Sequence, residues 1–382
     1  MSTTASRSAG TRLGSVAPRL IAPLALAVVL LLFGALSPVF LTGDNLLAVL
    51  AQSALLGIVA MGLTFAVRAG GIDLSVGVAL DLGALGASGL ISDGWVPWVA
   101  VAGGLFLGLL VGLVNAFLVV VARIPPFLAT LGVWFIGTSV QQLMTSGGAP
   151  IYLSASRVPD GFAVLGRGRV LGVDSAVFFL LVVVVVAALL LGATRWGRRL
   201  TLSGEQARAA RLVGLHVKRL TVSAYVLSAL VAAFAGVLLA SRSNGFVPGS
   251  GQGYLLDAIG AVFIGSTLSR HGRASPAGTL VGVVLFGLLG NGMNLMGLSF
   301  FWQGLGRGVI LLLVLLLGVL LSRSRKPRAA SLPPGMVGGL AALAPGKATS
   351  ETGGERAASG TEHTAPAIDH DDAAPRQEVP TA

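Results

Sequence analysis

Apolar residues in this chain run in long blocks, not in the alternation of a half-buried strand or the single stripe of a surface helix. Ten blocks stand out: 18–41, 45–67, 72–91, 95–122, 126–145, 174–193, 221–241, 254–269, 275–297 and 299–321. About 20 mostly apolar residues are needed for a helix to cross a bilayer. The pattern therefore predicts an all-α, polytopic transmembrane helix bundle of about ten spans. The 254–269 block is short, and the 72–91 block begins inside a polar break, so either reads equally well as a half-helix.

That break is Gly70-Gly71-Ile72-Asp73-Leu74-Ser75-Val76-Gly77. Paired glycines free the backbone from helical geometry. Asp73 can then cap a new helix, its carboxylate accepting from the exposed N–H groups of the next turn. A charge at membrane depth costs about 2.5 to 3.5 kcal/mol on insertion scales, which points to a protein-lined or water-lined site. A tight turn at the cytoplasmic surface, with Asp73 as an ordinary cap, satisfies the spacing equally well.

Composition agrees with the blocks. The chain has 382 residues, 54% hydrophobic and 11% charged, with a mean hydropathy of +0.87; soluble domains carry roughly 25% charged residues. It has no cysteine, which excludes disulfides, thiol nucleophiles and Cys-ligated metals. The net charge of +11 would suggest nucleic acid in a soluble protein. Here the basic residues cluster between alternate blocks: Arg7, Arg12 and Arg19, then Arg68, Arg123, the 195–219 loop, Arg270 with Arg273, and 323–328. Only Arg157, Arg167, Arg169 and Arg242 fall on the other side. The positive-inside rule therefore predicts cytoplasmic N- and C-termini. The first block follows a basic start as a signal peptide does, but it is long enough to span and lacks a small-residue cleavage site, so it reads as a retained helix.

Small residues at four-residue spacing (Gly104, Gly108 and Gly112; Gly278 and Gly282; Gly304 and Gly308) predict flat faces for close helix packing. Two soluble segments interrupt the spans. The external loop 146–173 is long enough for a small cap. In the internal segment 194–220, residues 205–213 favour a short amphipathic helix, capped by Ser203 and stopped by Gly214. Such a helix suits docking into a partner's groove, or resting on anionic headgroups. The organisation predicted is a cytoplasmic N-terminal segment (1–17), a transmembrane domain (18–322) and a disordered cytoplasmic tail (323–382), rich in Ala, Pro, Gly, Thr and acids. His363, His370, Asp369, Asp371 and Asp372 lie in the tail without a scaffold to make a metal site.

Motifs for catalysis are lacking. Residues 341–348, ending Pro345-Gly346-Lys347-Ala348, lack the first glycine and the final Ser/Thr of a phosphate loop. There is no HExxH, no GxSxG and no supported Ser/His/Asp set. No cofactor or metal is expected. Within or near the spans lie Asp73, Asp81 and Asp257, with Arg307 as a deep cation. A proton-coupled carrier more often pairs a carboxylate with a base deep in the bundle; Arg307 is the only deep cation here, which leaves that reading open but weakly supported. Uncharged polar residues are scattered through the spans instead: Gln52, Asn115, Gln141, Gln142, Asn291, Asn294 and Gln303. Singly, each suits an interhelical hydrogen bond. As a set they suit a pathway for a neutral, polyhydroxylated solute, because amides both donate and accept.

The stretch Gly70–Gly77 resembles the signature of the carbohydrate-type permease subunits of bacterial ABC importers, the ribose, xylose and arabinose permease group. Three further stretches resemble that family in the same order: Asn115 to Gly132; Gly204 to Val217, with Ala209-Ala210 and Gly214; and Leu256-Asp257-Ala258-Ile259 with Gly265, Thr267, Gly272, Arg273, Ser275, Gly278 and Thr279. The likeness covers about residues 20–322. Departures are Gly265-Ser266 for a diglycine, His271 for a glycine, Gly204-Glu205 for Gly-Asn, and an acid at Asp81. The resemblance implies a multi-pass protein of the bacterial plasma membrane that transports solute and is not an enzyme. It also implies a second permease copy, cytoplasmic ABC ATP-binding subunits that hydrolyse ATP, an extracytoplasmic solute-binding protein, and no nucleic acid. By the same resemblance, Gly70, Gly71, Asp73, Ser75, Gly77, Asn115, Asn291 and Gln303 belong to the pathway region. Gly204, Glu205, Ala209, Ala210 and Gly214 belong to an ATPase-coupling segment. A branched-chain amino-acid permease and a proton-driven carrier are the alternatives.

Overall fold

The computed structural model describes residues 7–323, with 155, 157, 171, 270 and 271 excepted; the tail and its histidines, Arg157 and His271 lie outside the described residues. The described chain is a helix bundle. In order it runs α1 (Arg7–Leu36), α2 (Gly43–Arg68), α3 (Val76–Ser92), α4 (Pro97–Ala116), α5 (Pro126–Met144), α6 (Asp160–Arg167), α7 (Ser175–Ala188), α8 (Arg195–Glu205), α9 (Ala207–Leu212), α10 (Val217–Ser243), α11 (Gly251–Thr267), α12 (Pro276–Leu295) and α13 (Phe300–Arg323). Helices α4 and α7 each continue through one π-helical turn, at Phe117–Val121 and Leu189–Ala193. Among the described residues, six helical stretches are long and apolar enough to cross a membrane, and three more are apolar but shorter.

Helix α10 is the pillar, packed against α2, α3 and α4, while α11 pairs with α12 and α12 with α2. Small residues let it do so. A Cβ on Gly236 would strike the Leu80 carbonyl, one on Gly108 the Ala233 methyl, and one on Gly104 would lie 2.5 Å from the Gly83 carbonyl oxygen. The Gly104–Gly112 stripe thus packs as its spacing predicts, and so does Gly278–Gly282, against Gly265 and Ala261 of α11. Gly304 and Gly308 do not: nothing described lies within 4 Å of a Cβ at either.

Several element ends differ from expectation. Helix α1 stops at Leu36, ahead of Ser37-Pro38, because the residue before proline is driven out of the helical region. Helix α3 starts at Val76 rather than at residue 72, so the glycine break stays outside the helix and ends in a turn at Leu74-Ser75. The loop 146–173 forms α6 and two short antiparallel pairs, β1 (Ile151–Tyr152) with β4 (Gly245–Phe246) and β2 (Arg169–Val170) with β3 (Val173–Asp174). The Ser241 hydroxyl ties α6 to α10, accepting from the Gly166 N–H at 2.9 Å and donating to the Phe162 carbonyl at 2.5 Å.

The segment 194–220 is two helices, not one. Ser203 lies inside α8 and donates to the Leu200 carbonyl, so it caps nothing. The chain breaks at Gln206 (φ −143°, ψ 70°) and resumes as α9. Gly214 does end α9: at φ +78° its N–H reaches the Arg211 carbonyl and the Leu215 N–H reaches that of Ala210. This is the Schellman arrangement, in which glycine takes the left-handed position without strain.

Candidate functional site

The glycine break is wired to three helices, α4, α5 and α10. Asp73 is fully buried. Its Oδ1 accepts from the Ser75 N–H at 3.0 Å and the Ser75 hydroxyl at 2.6 Å, and its Oδ2 from the Ser228 hydroxyl of α10 at 2.9 Å. The Asn115 amide of α4 donates to Ser75 Oγ at 2.6 Å. On α5, the Thr130 hydroxyl accepts from the Leu74 N–H at 3.1 Å and donates to the Pro126 carbonyl at 2.9 Å. Asp73 therefore holds the turn ahead of α3 and does not bond the helix's first turn, because the helix starts at Val76. Among the described residues no cation pairs with it; hydroxyls and an N–H satisfy the carboxylate. Gly71 is pressed against the Tyr225 hydroxyl and Pro126, and a Cβ there has no room.

Three of the sequence motifs meet at the end of α2. Gly70, at φ +90°, lies across Gly204: a Cβ on Gly70 would sit 2.7 Å from the Gly204 carbonyl oxygen, and one on Gly204 would strike the Arg68 carbonyl. Only two glycines let these backbones touch. Glu205 pairs with Arg273, whose Nη2 donates to Oε2 at 2.8 Å, and Arg68 Nη1 donates to the Ala274 carbonyl at 2.9 Å. The Gly204-Glu205 pair, a departure from the expected Gly-Asn, is thus what joins the 194–220 segment to the late glycine-rich stretch. Gly265 and Gly278 cross within that stretch, Gly272 turns at φ +67°, and the Thr267 hydroxyl folds back on the Ile264 carbonyl. Ala210 is buried on the inner side of α9, Ala209 is exposed, and Leu212 and Val213 stand out at 89% and 74% exposure.

Asp81 is the residue whose role the sequence did not reveal. It is buried, and its Oδ1 accepts from the Gly251 N–H at 2.7 Å. Gly251 opens α11, so the carboxylate faces that helix's positive end. Gln141 Oε1 holds the same turn through the Gly249 N–H at 3.1 Å. Gly77 packs directly on Gly251, so α11 starts against the first turns of α3, within the bundle. An unpaired acid in a span is the only signal the sequence carried.

Of the seven scattered amides, Gln142 is exposed and the other six separate into two groups. Asn115 and Gln141 are spent on structure. So is Asn291, which exchanges amide hydrogen bonds with Asn45 at 2.9 and 3.0 Å. Gln52, Asn294 and Gln303, with Asn291 at the edge, line a cavity of about 400 Å³ between α2, α11, α12 and α13. In its wall Arg307 Nη1 donates to Asp257 Oδ2 at 2.8 Å. Arg307, the one deep cation in the sequence, thus finds its carboxylate at Asp257, which lies in the cavity, apart from the rest of its motif.

A family model described as branched-chain amino acid transport system / permease component matches residues 45–320. The chain belongs to this permease family. Curated relatives agree over most of the chain. The ribose import permease protein of Bacillus subtilis is 36% identical over 294 residues, 77% of this chain and 90% of its own. That of Escherichia coli is 35% identical over 293 residues, 77% and 91%. The L-arabinose ABC transporter permease protein of Azospirillum brasilense is 35% identical over 292 residues, 76% and 85%. No solved structure matches the chain. The protein is a transport subunit of the membrane, not an enzyme.

Proposed function

We propose that this permease is the membrane-spanning subunit of an ATP-driven importer for a monosaccharide or similar polyhydroxylated solute. The relatives named for ribose and arabinose favour a sugar over the amino acids in the family's description. So does the Gly71-Ile72-Asp73-Leu74-Ser75 run itself. The observation that carries the mechanism is the contact of Gly204 with Gly70. It joins a polar, helical loop directly to the buried turn at Asp73, so that force on α8 and α9 reaches the break before α3 without an intermediate side chain.

In this reading all ten long helices span, with α3 and α11 starting inside the bundle. The Arg68 end and both termini face the cytoplasm. The membrane domain covers 18–322, between the 1–17 segment and the 323–382 tail. ATP-binding subunits dock on the 194–220 segment, a second permease copy completes the pathway within the bilayer, and an extracytoplasmic binding protein delivers solute at the far end. Hydrolysis belongs to the docked subunits.

Leu212 and Val213 supply the docking knobs. Large apolar side chains this exposed at a polar turn are otherwise costly, and burying a leucine contributes about 1.5 to 3 kcal/mol. Leu212→Glu should therefore weaken association with the ATP-binding subunits by about tenfold or more, measured by co-purification, with membrane insertion unchanged. The whole reading is tested in proteoliposomes holding the permease, the ATPase and the binding protein. Solute-dependent ATP hydrolysis, and pentose uptake that survives a protonophore, are expected. Uptake without any ATPase, abolished by the protonophore, would instead establish the proton-driven carrier that the Asp257–Arg307 pair brings to mind. Leucine uptake in place of pentose would establish the amino-acid permease.

A further inference from the structure

The cavity between α2, α11, α12 and α13 contains more chemistry than a conduit needs. Charged groups within membrane spans are expensive and rarely idle. Among the described residues, the hydrogen bond between Asp257 and Arg307 uses only Oδ2 and Nη1. Arg307 Nε is buried with no partner, and Asp257 Oδ1 accepts no hydrogen bond among the described residues. A part-buried ion pair with an unsatisfied buried atom is a poor way to stabilise a bundle. Its surroundings are arranged around it nonetheless. Gly290 leaves space where a Cβ would lie 3.1 Å from Arg307 Nη2. Gln303 donates its amide N–H to the Leu298 carbonyl; among the described residues its Oε1 accepts nothing, and Gln52 and Asn294 make no side-chain hydrogen bond.

We propose that this cavity is a solute-recognition site of the permease itself, in which Asp257 and Arg307 together grip a vicinal diol of a neutral sugar. Adjacent hydroxyls offer paired donors and acceptors, matching the second carboxylate oxygen on one side and the Nη N–H groups of the guanidinium on the other. The amides of Gln52, Asn294 and Gln303 are placed to take further hydroxyls. A volume of about 400 Å³ is within the range of small-molecule sites. The site also discriminates by charge. The pair is neutral as a unit, so a neutral polyol joins it without cost. An anionic sugar acid takes Arg307 away from Asp257 and leaves that carboxylate unpaired. The permease would thus impose a second selection, after the binding protein's.

This inference rests on the reading of the chain as a sugar conduit, and its test needs neither ATPase nor binding protein, so the two fail separately. The chain has no cysteine, and a Cβ on Gly253, in the cavity wall, meets nothing within 4 Å. Gly253→Cys is therefore a unique reporter for a thiosulfonate reagent applied to the full-length permease in membranes. D-ribose at about twice its Kd should slow labelling about threefold, D-gluconate should not, and Asp257→Asn or Arg307→Gln should abolish the protection. Absence of protection by D-ribose, equal protection by D-gluconate, or protection undiminished in both variants would overturn the proposal. The comparison of ribose with gluconate is made without altering the pair, so it holds even if a variant folds poorly.

Discussion

Gly204→Ala should cost this permease most of its coupled transport while leaving its insertion intact. The added methyl would strike the Arg68 carbonyl and approach Gly70 N to 3.0 Å. Those are backbone atoms and cannot rotate away as a side chain would. Overpacking of this kind costs about 1 to 3 kcal/mol, and relief requires parting α8 from the glycine break. Binding-protein-stimulated ATP hydrolysis and uptake, measured together in proteoliposomes, should both fall about tenfold or more. Gly89→Ala is the matched control. It lies within α3 with nothing near its Cβ, so alanine should be neutral or stabilising by up to about 1 kcal/mol. Equal activity in the two variants would refute the backbone joint as the coupling route.

The second large effect is expected at Asp73. Asp73→Ala removes the acceptor of two hydroxyls and one N–H at a buried site. Each buried group left unpaired costs about 1 to 3 kcal/mol, so a loss of about 3 kcal/mol or more is expected, read as a fall in the thermal midpoint of the detergent-solubilised permease. The companion variant separates the network from mere volume. Removing both partners of a hydrogen bond is far less harmful than removing one. Asp73→Ala with Ser228→Ala should therefore be more stable than Asp73→Ala alone. If the two losses simply add, Ser228 and Asp73 are not coupled in the native state.

Much of this was legible in the sequence because long apolar blocks encode helices directly. Each of the ten blocks corresponds to one helix, and proline fixes several starts, at Pro97, Pro126 and Pro276. Gly214 was legible as a stop because the left-handed position favours glycine. The break at Gln206 was not: Glu205 before it and Ala207, Ala209 and Ala210 after it all favour helix, and no residue there marks an interruption. Asp81 was legible only as an anomaly, because its partner is a backbone N–H far along the chain. Asp257 and Arg307 escaped pairing for a similar reason. They lie on different helices, no periodicity relates them, and only the rule that deep charges must find each other could have matched them. The amides were read as one set, yet Asn45, an unremarked partner, takes Asn291 out of it. Gly304 and Gly308 show the converse limit: a small-residue stripe states what a helix face permits, not what lies against it.

The crossing of Gly70 and Gly204 has a mechanical consequence. Side-chain linkages carry slack, because rotamers absorb small displacements before passing them on. Two backbones in van der Waals contact have no such freedom. A displacement of the loop by even a fraction of an ångström toward the bundle must move the turn at Asp73 or break the contact. The joint therefore behaves as a stiff, short lever that transmits push but not pull, with the exposed Glu205–Arg273 pair beside it as the tether for the return stroke.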